Sequence, residues 1–145
     1  MNISKSFKHL LLFFIGGTIY IIIEIIWRWL VNSSPTHWSM FILGGLSFLI
    51  IGEINEFLLW DTPFYIQCLI GTIIVLILEF IFGCIVNIWL KLNVWDYSRQ
   101  LLNVLGQICI PFAFLWYILT AVAIVLDDYI RYWLFDEEKP RYKFK

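Results

Sequence analysis

The chain has 145 residues, of which 61% are hydrophobic and 14% are charged, and its net charge is −1. Soluble domains are about half apolar and about a quarter charged, so this composition excludes an ordinary soluble domain. The nearly neutral charge also excludes the basic face that binding to nucleic acid requires. We therefore expect an integral membrane protein in contact with membrane lipid.

Long apolar stretches separated by short polar breaks predict four transmembrane helices, since a spanning helix needs about 20 apolar residues. The turns at residues 32–35 and 60–63 contain proline, which favours a break between helices. Pro111 predicts a kink within the fourth span. The predicted single integral membrane domain, residues 1–145, has spans at residues 10–31, 38–59, 64–90 and 101–126.

The chain becomes amphipathic after the fourth predicted span. In residues 127–135, Asp127, Asp128 and Arg131 alternate with apolar residues, which indicates a helix lying at the membrane interface. The charged tail, residues 136–145, is expected to be mobile. The predicted fold class is all-α: a polytopic membrane protein of about four transmembrane helices plus a C-terminal interfacial amphipathic helix.

Lysine and arginine near the span ends predict the orientation. Lys5 and Lys8 precede the first span, and five basic residues follow residue 130, whereas the third connection holds only Lys91 and Arg99. Four spans place both termini on one side, and the excess of positive charge predicts that this side is cytoplasmic.

Polar residues within apolar stretches define the first candidate site, because polar side chains are costly in hydrocarbon. Glu24 and Glu79 lie at one level, about 21–23 Å from the cytoplasmic ends of their helices. Asn103 and Gln107 are four residues apart and are predicted to share a face of the fourth helix. The predicted ligand- or proton-binding cluster in the outer half comprises Glu24, Arg28, Glu79, Asp96, Asn103 and Gln107.

Structural roles compete with this functional interpretation. Glu24 and Arg28 have the spacing of an ion pair on one helix. Asp96 has the residue type that caps the start of a helix, here the fourth, or braces a turn. Gly44 and Gly45 indicate close helix packing. A second polar cluster, which we interpret as interfacial charges or structural pairs, comprises Glu53, Glu56, Asp127, Asp128 and Arg131.

The sequence has no recognisable catalytic or metal-binding motif. Its three cysteines lie in apolar stretches and its two histidines are isolated, so we assign no disulfide framework and no metal. It also lacks the phosphate-binding loop of nucleotide hydrolases, so an ATP-driven process would need a separate ATPase subunit. We assign no cofactor and no catalytic residue.

The chain resembles the bacterial membrane protein family described as putative ABC-transporter type IV, which is related to the transmembrane protein 229 group. The resemblance rests on Glu24 with Arg28, the stretch from Glu79 to Gly83, Trp-Asp-Tyr-Ser at residues 95–98, and Asn103 followed by Gly106 and Gln107. It covers the region from the first to the fourth span. It implies residence in the bacterial cytoplasmic membrane and a transport assembly.

Three functions remain open from the sequence. The leading hypothesis is a non-ATPase component of a transport system, in which the outer polar cluster binds a small ligand or a coupling proton. The alternative is a homo-oligomeric pore or membrane scaffold that packs through the glycines of the second span. The third, an intramembrane enzyme acting on lipid with Glu79 and Asp96 as acid and base, has the weakest support because no catalytic set is recognisable.

Overall fold

The computed structural model describes residues 4–31 and 34–145. The helices are α1 (Lys5–Val31), α2 (Ser39–Gly52), the short α3 (Ile54–Phe57), α4 (Phe64–Gly83) and α5 (Ile110–Phe135). A π-helical segment, Cys84–Trp89, continues α4. The predicted turn at residues 32–35 lies partly outside the described residues.

The predicted all-α fold with four helices that can span a membrane is confirmed. In the described part of the chain, four helices are long and apolar enough to cross a membrane: Lys5–Val31, Ser39–Phe57, Phe64–Trp89 and Ile110–Phe135. Lys8 forms an ion pair with Glu137 at 2.7 Å, so the two ends of the chain meet at one end of the bundle. We call this the terminal end, and the opposite end, which carries the connection at residues 90–109, the distal end.

Glycines bring α1 and α2 into close contact. A side chain added at Gly44 would collide with Tyr20, and one added at Gly16 would collide with Phe48. In a membrane, where lipid is as apolar as the helix surface, such close approach is what favours helix association. The sequence-based interpretation of Gly44 and Gly45 as packing positions therefore agrees with the structure.

The other contacts place α2 at the centre of the bundle. It packs against α1 on one side and against both α4 and α5 on the other, and α4 also packs against α5. One buried cluster joins these helices through Ile51, Val75, Trp116 and Ile124. Helix α1 packs extensively only against α2, which leaves a gap between α1 and α5.

The predicted start of the fourth span at residue 101 is wrong, since α5 begins at Ile110. Residues 90–109 form a compact loop in which Asn103 binds backbone groups of Ser98, Gln100 and Gly106. Side chains that satisfy the backbone in this way compete with helix formation. Pro111 lies in the first turn of α5, where proline is tolerated, and not at a kink within the helix.

The predicted end of the fourth span at residue 126 is also wrong. Helix α5 continues without interruption to Phe135, so residues 127–135 are not a separate interfacial helix. Asp127, Asp128 and Arg131 are buried in the bundle. Arg131 binds Asp127 on the same helix and Glu53 from the connection between α2 and α3, and Asp128 accepts hydrogen bonds from Asn55 and Tyr142. Hydropathy alone cannot anticipate this, because it counts charges without their partners.

The tail at residues 136–145 is docked on the terminal end, contrary to the predicted mobility. The hydroxyl of Tyr142 donates a hydrogen bond to Asp128 at 2.7 Å, and its ring packs against Phe64. The carbonyl of Lys143 accepts a hydrogen bond from the amide of Phe64 at 2.7 Å. Tyr142 thus fixes the tail, although the charge of the tail predicted that it is mobile.

Replacing Gly44 by alanine tests the contact between α1 and α2. The new methyl group would meet the Cβ of Tyr20, which is fixed to the backbone, so the helices must separate. We expect a loss of about 1–3 kcal/mol in the free energy of unfolding, as for other overpacked contacts. Thermal unfolding in detergent would measure it, with Thr18→Val at an exposed position of α1 as the control. A melting temperature equal to that of the control would contradict the prediction.

Candidate functional site

Glu79 of α4 is the most deeply buried acid of the distal half, with 2% of its surface exposed. Its two carboxylate oxygens accept hydrogen bonds from different elements. The Tyr97 hydroxyl donates to Oε1 at 3.1 Å, and the Trp116 indole N–H donates to Oε2 at 2.9 Å. Glu79 therefore ties the distal loop to α5 through a pair of aromatic donors.

Aromatic stacking fixes both donors. The ring of Trp116 stacks on Tyr20 of α1 with 5.5 Å between centroids, and the ring of Tyr97 stacks on Phe112 at 4.5 Å. Burial, followed by the nearby Glu79 carboxylate, raises the pKa of the Tyr97 phenol well above its usual range. Tyr97 consequently keeps its proton and remains a hydrogen-bond donor to Glu79.

A cleft of about 390 Å³ opens beside these aromatic residues, between α1, the distal loop and α5. We call it the distal cleft. Tyr20, Tyr97 and Trp116 form part of its wall and separate it from Glu79. Its charged lining residues are Glu24, Arg28 and Asp96. The cleft thus combines aromatic walls with charged groups, as small-molecule sites commonly do.

Arg28 holds the rim of the distal cleft. Its Nε donates to Glu24 at 2.6 Å, the predicted ion pair on α1. Its Nη2 donates to the carbonyl of Val94 at 2.7 Å, and its Nη1 donates to the carbonyl of Pro35 at 3.2 Å. Arg28 therefore joins three parts of the chain, and its positive charge is balanced by Glu24.

Asp96 lies at the exposed edge of the distal cleft. Its carboxylate accepts hydrogen bonds from the amide of Ser98 at 2.8 Å and from the Ser98 hydroxyl at 3.0 Å. These bonds hold the pKa of Asp96 below its usual range, so the group is ionised at neutral pH. Asp96 therefore braces a turn within the loop, which is one of the two structural roles predicted from the sequence, and does not cap the start of α5.

Asn103 and Gln107 do not line the distal cleft, and they do not share a helix face. Asn103 lies within the loop and binds its backbone. The side-chain oxygen of Gln107 accepts a hydrogen bond from the side-chain amide of Asn87 at 2.9 Å. The backbone carbonyl of Gln107 accepts one from the Trp95 indole N–H at 3.0 Å. Both residues support the loop that carries Asp96 and Tyr97.

Sequence reasoning missed the residues that surround Glu79. Tyr20, Tyr97 and Trp116 were not among the candidate residues, because aromatic side chains in and beside apolar stretches are common in packed cores. The useful signal for Tyr97 and Trp116 is that they can donate hydrogen bonds, which a buried carboxylate requires. Asn87 was likewise missed, although an amide within an apolar stretch is as costly as an acid.

The five residues of the second predicted polar cluster all lie at the terminal end, and Glu56 is at the edge of the group. Arg131 is its centre: Nε contacts Asp127 at 2.6 Å and Nη2 contacts Glu53 at 2.9 Å. Asp127 is completely buried, and its carboxylate packs against Gly52 of α2. Glu56 is exposed and lines the neighbouring surface cavities.

Additional residues complete this terminal cluster. His9 contacts Glu53 at 3.1 Å, and Lys8 and Arg131 both contact Glu137. Asp128 accepts hydrogen bonds from Asn55 at 2.6 Å and from Tyr142. The contacts are those of structural pairs joining α1, α2, α3, α5 and the tail. Among the described residues, no group of three or more histidines, cysteines and acids is arranged to hold a metal ion.

Comparison with protein families gives a match over most of the chain. The family model described as putative ABC-transporter type IV matches residues 11–139, which include most of the first span and the whole of the other three. Neither a curated protein nor a solved structure matches the chain.

Replacing Glu79 tests the hydrogen bonds that it accepts. Glu79→Leu leaves the donors of Tyr97 and Trp116 without their acceptor, and a buried unsatisfied donor costs about 1–3 kcal/mol. Glu79→Gln keeps one acceptor oxygen. We therefore expect melting temperatures, followed by tryptophan fluorescence in detergent, to fall from wild type to Glu79→Gln to Glu79→Leu. Equal values for the three proteins would show that these bonds do not stabilise the fold.

Replacing Arg131 tests the terminal cluster. Arg131→Met leaves Asp127 buried without its cation, and breaking a buried pair in this way costs about 3–5 kcal/mol. The double variant Asp127→Leu with Arg131→Met removes both charges and is expected to recover most of the loss in thermal unfolding. Arg141→Met, at an exposed pair with Glu138, is the control. A double variant as unstable as the single one would contradict the prediction.

Proposed function

The chain belongs to the family described as putative ABC-transporter type IV, and from this premise we propose that it is a non-ATPase membrane component of a transport system. In this proposal the distal cleft binds a small ligand or a coupling proton. Glu79 is the acid that responds to the bound species. A separate ATPase subunit supplies the energy, since the sequence has no phosphate-binding loop.

The observation that carries the proposal is the arrangement of Glu79 behind the distal cleft. Its carboxylate is buried, and both of its hydrogen-bond donors, Tyr97 and Trp116, line the cleft. Acids inside a membrane protein are costly, and they commonly belong to substrate or proton pathways. A change in the position of Tyr97 would expose Glu79 to the cleft and couple ligand binding to the distal loop.

The proposed orientation places the terminal end in the cytoplasm of a bacterium. Basic residues support it: Lys5, Lys8 and Lys139 belong to the terminal end, whereas Lys91 and Arg99 lie in the distal loop. Positive charge near span ends favours the cytoplasmic side. The distal cleft then opens towards the outer leaflet.

Two other functions receive less support. The glycines that would pack a homo-oligomer are occupied by the contact between α1 and α2. In a lipid-modifying enzyme, Glu79 and Asp96 would have to present their carboxylates to substrate. Both oxygens of each carboxylate already accept hydrogen bonds from protein groups.

Gentle extraction of the tagged chain from its native membrane, followed by native mass spectrometry, tests the proposal. We expect an ATPase subunit to remain bound. A homo-oligomer with no other protein would overturn the transport-component proposal and favour a pore or scaffold.

Proton flux tests the role of Glu79 separately. The purified complex would be placed in vesicles that contain a pH-sensitive dye, with flux driven by a pH gradient or by ATP. Glu79→Gln is expected to abolish the proton-linked flux, because the amide cannot carry a proton. Glu138→Gln, whose side chain is 59% exposed in the tail, is the control. Unchanged flux in Glu79→Gln would remove Glu79 from the proposed mechanism.

A further inference from the structure

The distal cleft continues as a second, narrower cavity that leads towards the terminal end. This cavity has about 70 Å³. It shares Tyr20, Ile23, Trp116 and Leu119 with the distal cleft, so the two cavities are neighbours that meet at the stacked rings of Tyr20 and Trp116. Together they form a groove along one face of the bundle. We call it the α1–α5 groove, because α1 and α5 form its two sides. Helix α2 closes the narrow part, and the distal loop closes the wide part.

The groove exists because α1 packs against α2 and not extensively against α5. Its rim includes Ile23 of α1 and Val122 of α5, whose side chains are exposed. In a membrane these exposed apolar side chains face the hydrocarbon. The groove is therefore open sideways to lipid along its length.

The two ends of the groove differ in chemistry. The narrow end is lined by apolar residues apart from the hydroxyl groups of Tyr20, Ser47 and Thr120. The wide end holds Glu24, Arg28 and Asp96 together with aromatic rings. An occupant that matches both ends is an amphiphile, with its polar head at the distal end and its apolar chain in the narrow part.

The length of the groove agrees with one leaflet of a membrane. On α5 its lining extends from Phe112 to Leu126, which corresponds to roughly 21 Å along a helix. One leaflet, with its headgroups, is about 20 Å thick. A lipid that entered sideways from the distal leaflet would keep its head and its chains at their usual depths.

We propose that the α1–α5 groove binds one phospholipid with an amine headgroup, taken from the leaflet at the distal end. This inference rests on the proposed function and names the ligand class of the same cleft.

The charges at the wide end favour an amine over an anionic headgroup. Glu24 and Asp96 carry two negative charges against the single positive charge of Arg28, so the lining has a net charge of −1. Asp96 is exposed at the edge of the cleft and can approach an ammonium group. Aromatic rings such as those of Trp27 and Tyr97 also attract cations through their faces. The phosphate of the lipid would lie towards Arg28.

Native mass spectrometry of the purified full chain tests this proposal. The protein would be mixed in mild detergent with equal amounts of phosphatidylethanolamine and phosphatidylglycerol that carry the same acyl chains. We expect one retained phospholipid per chain, with the amine lipid favoured by roughly fivefold because of the negative lining. No retained lipid, or a preference for phosphatidylglycerol, would overturn the proposal.

Two variants locate the lipid in the groove. Ala123→Trp fills the narrow end and is expected to reduce the retained lipid at least to one fifth. Its matched control is Ile118→Trp, which adds the same side chain to α5 at an exposed position outside the groove. Equal retention by the two variants, or a second copy of the chain held in place of lipid, would overturn the proposal.

Removing one charge tests the headgroup without filling the groove. Asp96→Asn changes the net charge of the lining from −1 to 0 and keeps a side-chain oxygen that accepts the hydrogen bond from the Ser98 amide, so the fold is expected to tolerate it. The preference should then shift towards phosphatidylglycerol. An unchanged preference would show that the wide end of the groove does not bind the headgroup.

The outcomes separate this inference from the proposed function. If an ATPase subunit co-purifies but no lipid is retained, the transport-component proposal stands and the amine-lipid proposal fails. If the amine lipid is retained but no ATPase subunit co-purifies, the ligand class stands and the transport-component proposal fails.

Discussion

The structure depends on one constraint: a carboxylate inside a membrane must have its partners within the protein, because hydrocarbon supplies none. Glu79 and Asp127 meet this constraint in different ways. Glu79 accepts two hydrogen bonds from uncharged aromatic donors, whereas Asp127 is bound by the guanidinium group of Arg131. The terminal cluster is thus held together by opposite charges, whereas Glu79, behind the distal cleft, has no direct cationic partner among the described residues.

The two clusters also differ in what their side chains contact. Arg131 forms ion pairs with Asp127, Glu53 and Glu137, so the terminal cluster holds different parts of the chain together. Around Glu79 the donors are a tyrosine and a tryptophan, and both also line the distal cleft. A ligand in that cleft would touch the groups that hold the acid. A ligand bound in the distal cleft would therefore act directly on the hydrogen bonds that hold Glu79.

The number of spans could be predicted from the sequence, because length and hydropathy are local properties of each apolar stretch. The ion pair of Glu24 with Arg28 could be predicted for the same reason, since its spacing lies within one helix. The start of α5 could not be predicted from the sequence. It is decided by hydrogen bonds such as that between the Tyr97 amide and the Gly106 carbonyl, which join residues far apart in the loop.

The partners of Glu79 are likewise beyond sequence reasoning, because Tyr97 and Trp116 reach it from two other elements. The same holds for Tyr142, which anchors a tail whose charge predicted mobility. In each case a local pattern identified a costly polar group, and the tertiary fold chose its partner. Sequence reasoning alone therefore locates candidate acids better than it identifies the groups that control them.

The gap between α1 and α5 results from the position of the glycines, which lie at the contact between α1 and α2. Gly16 and Gly44 bring α1 so close to α2 that the contact is filled by backbone and by the side chains of Phe48 and Tyr20. Two aromatic contacts connect α1 with α5: Tyr20 stacks on Trp116, and Trp27 packs edge-on against Phe112. Beside these contacts the two helices leave the cavities that form the groove. The close packing that stabilises one side of the bundle thus leaves a groove on the other side, next to the buried acid.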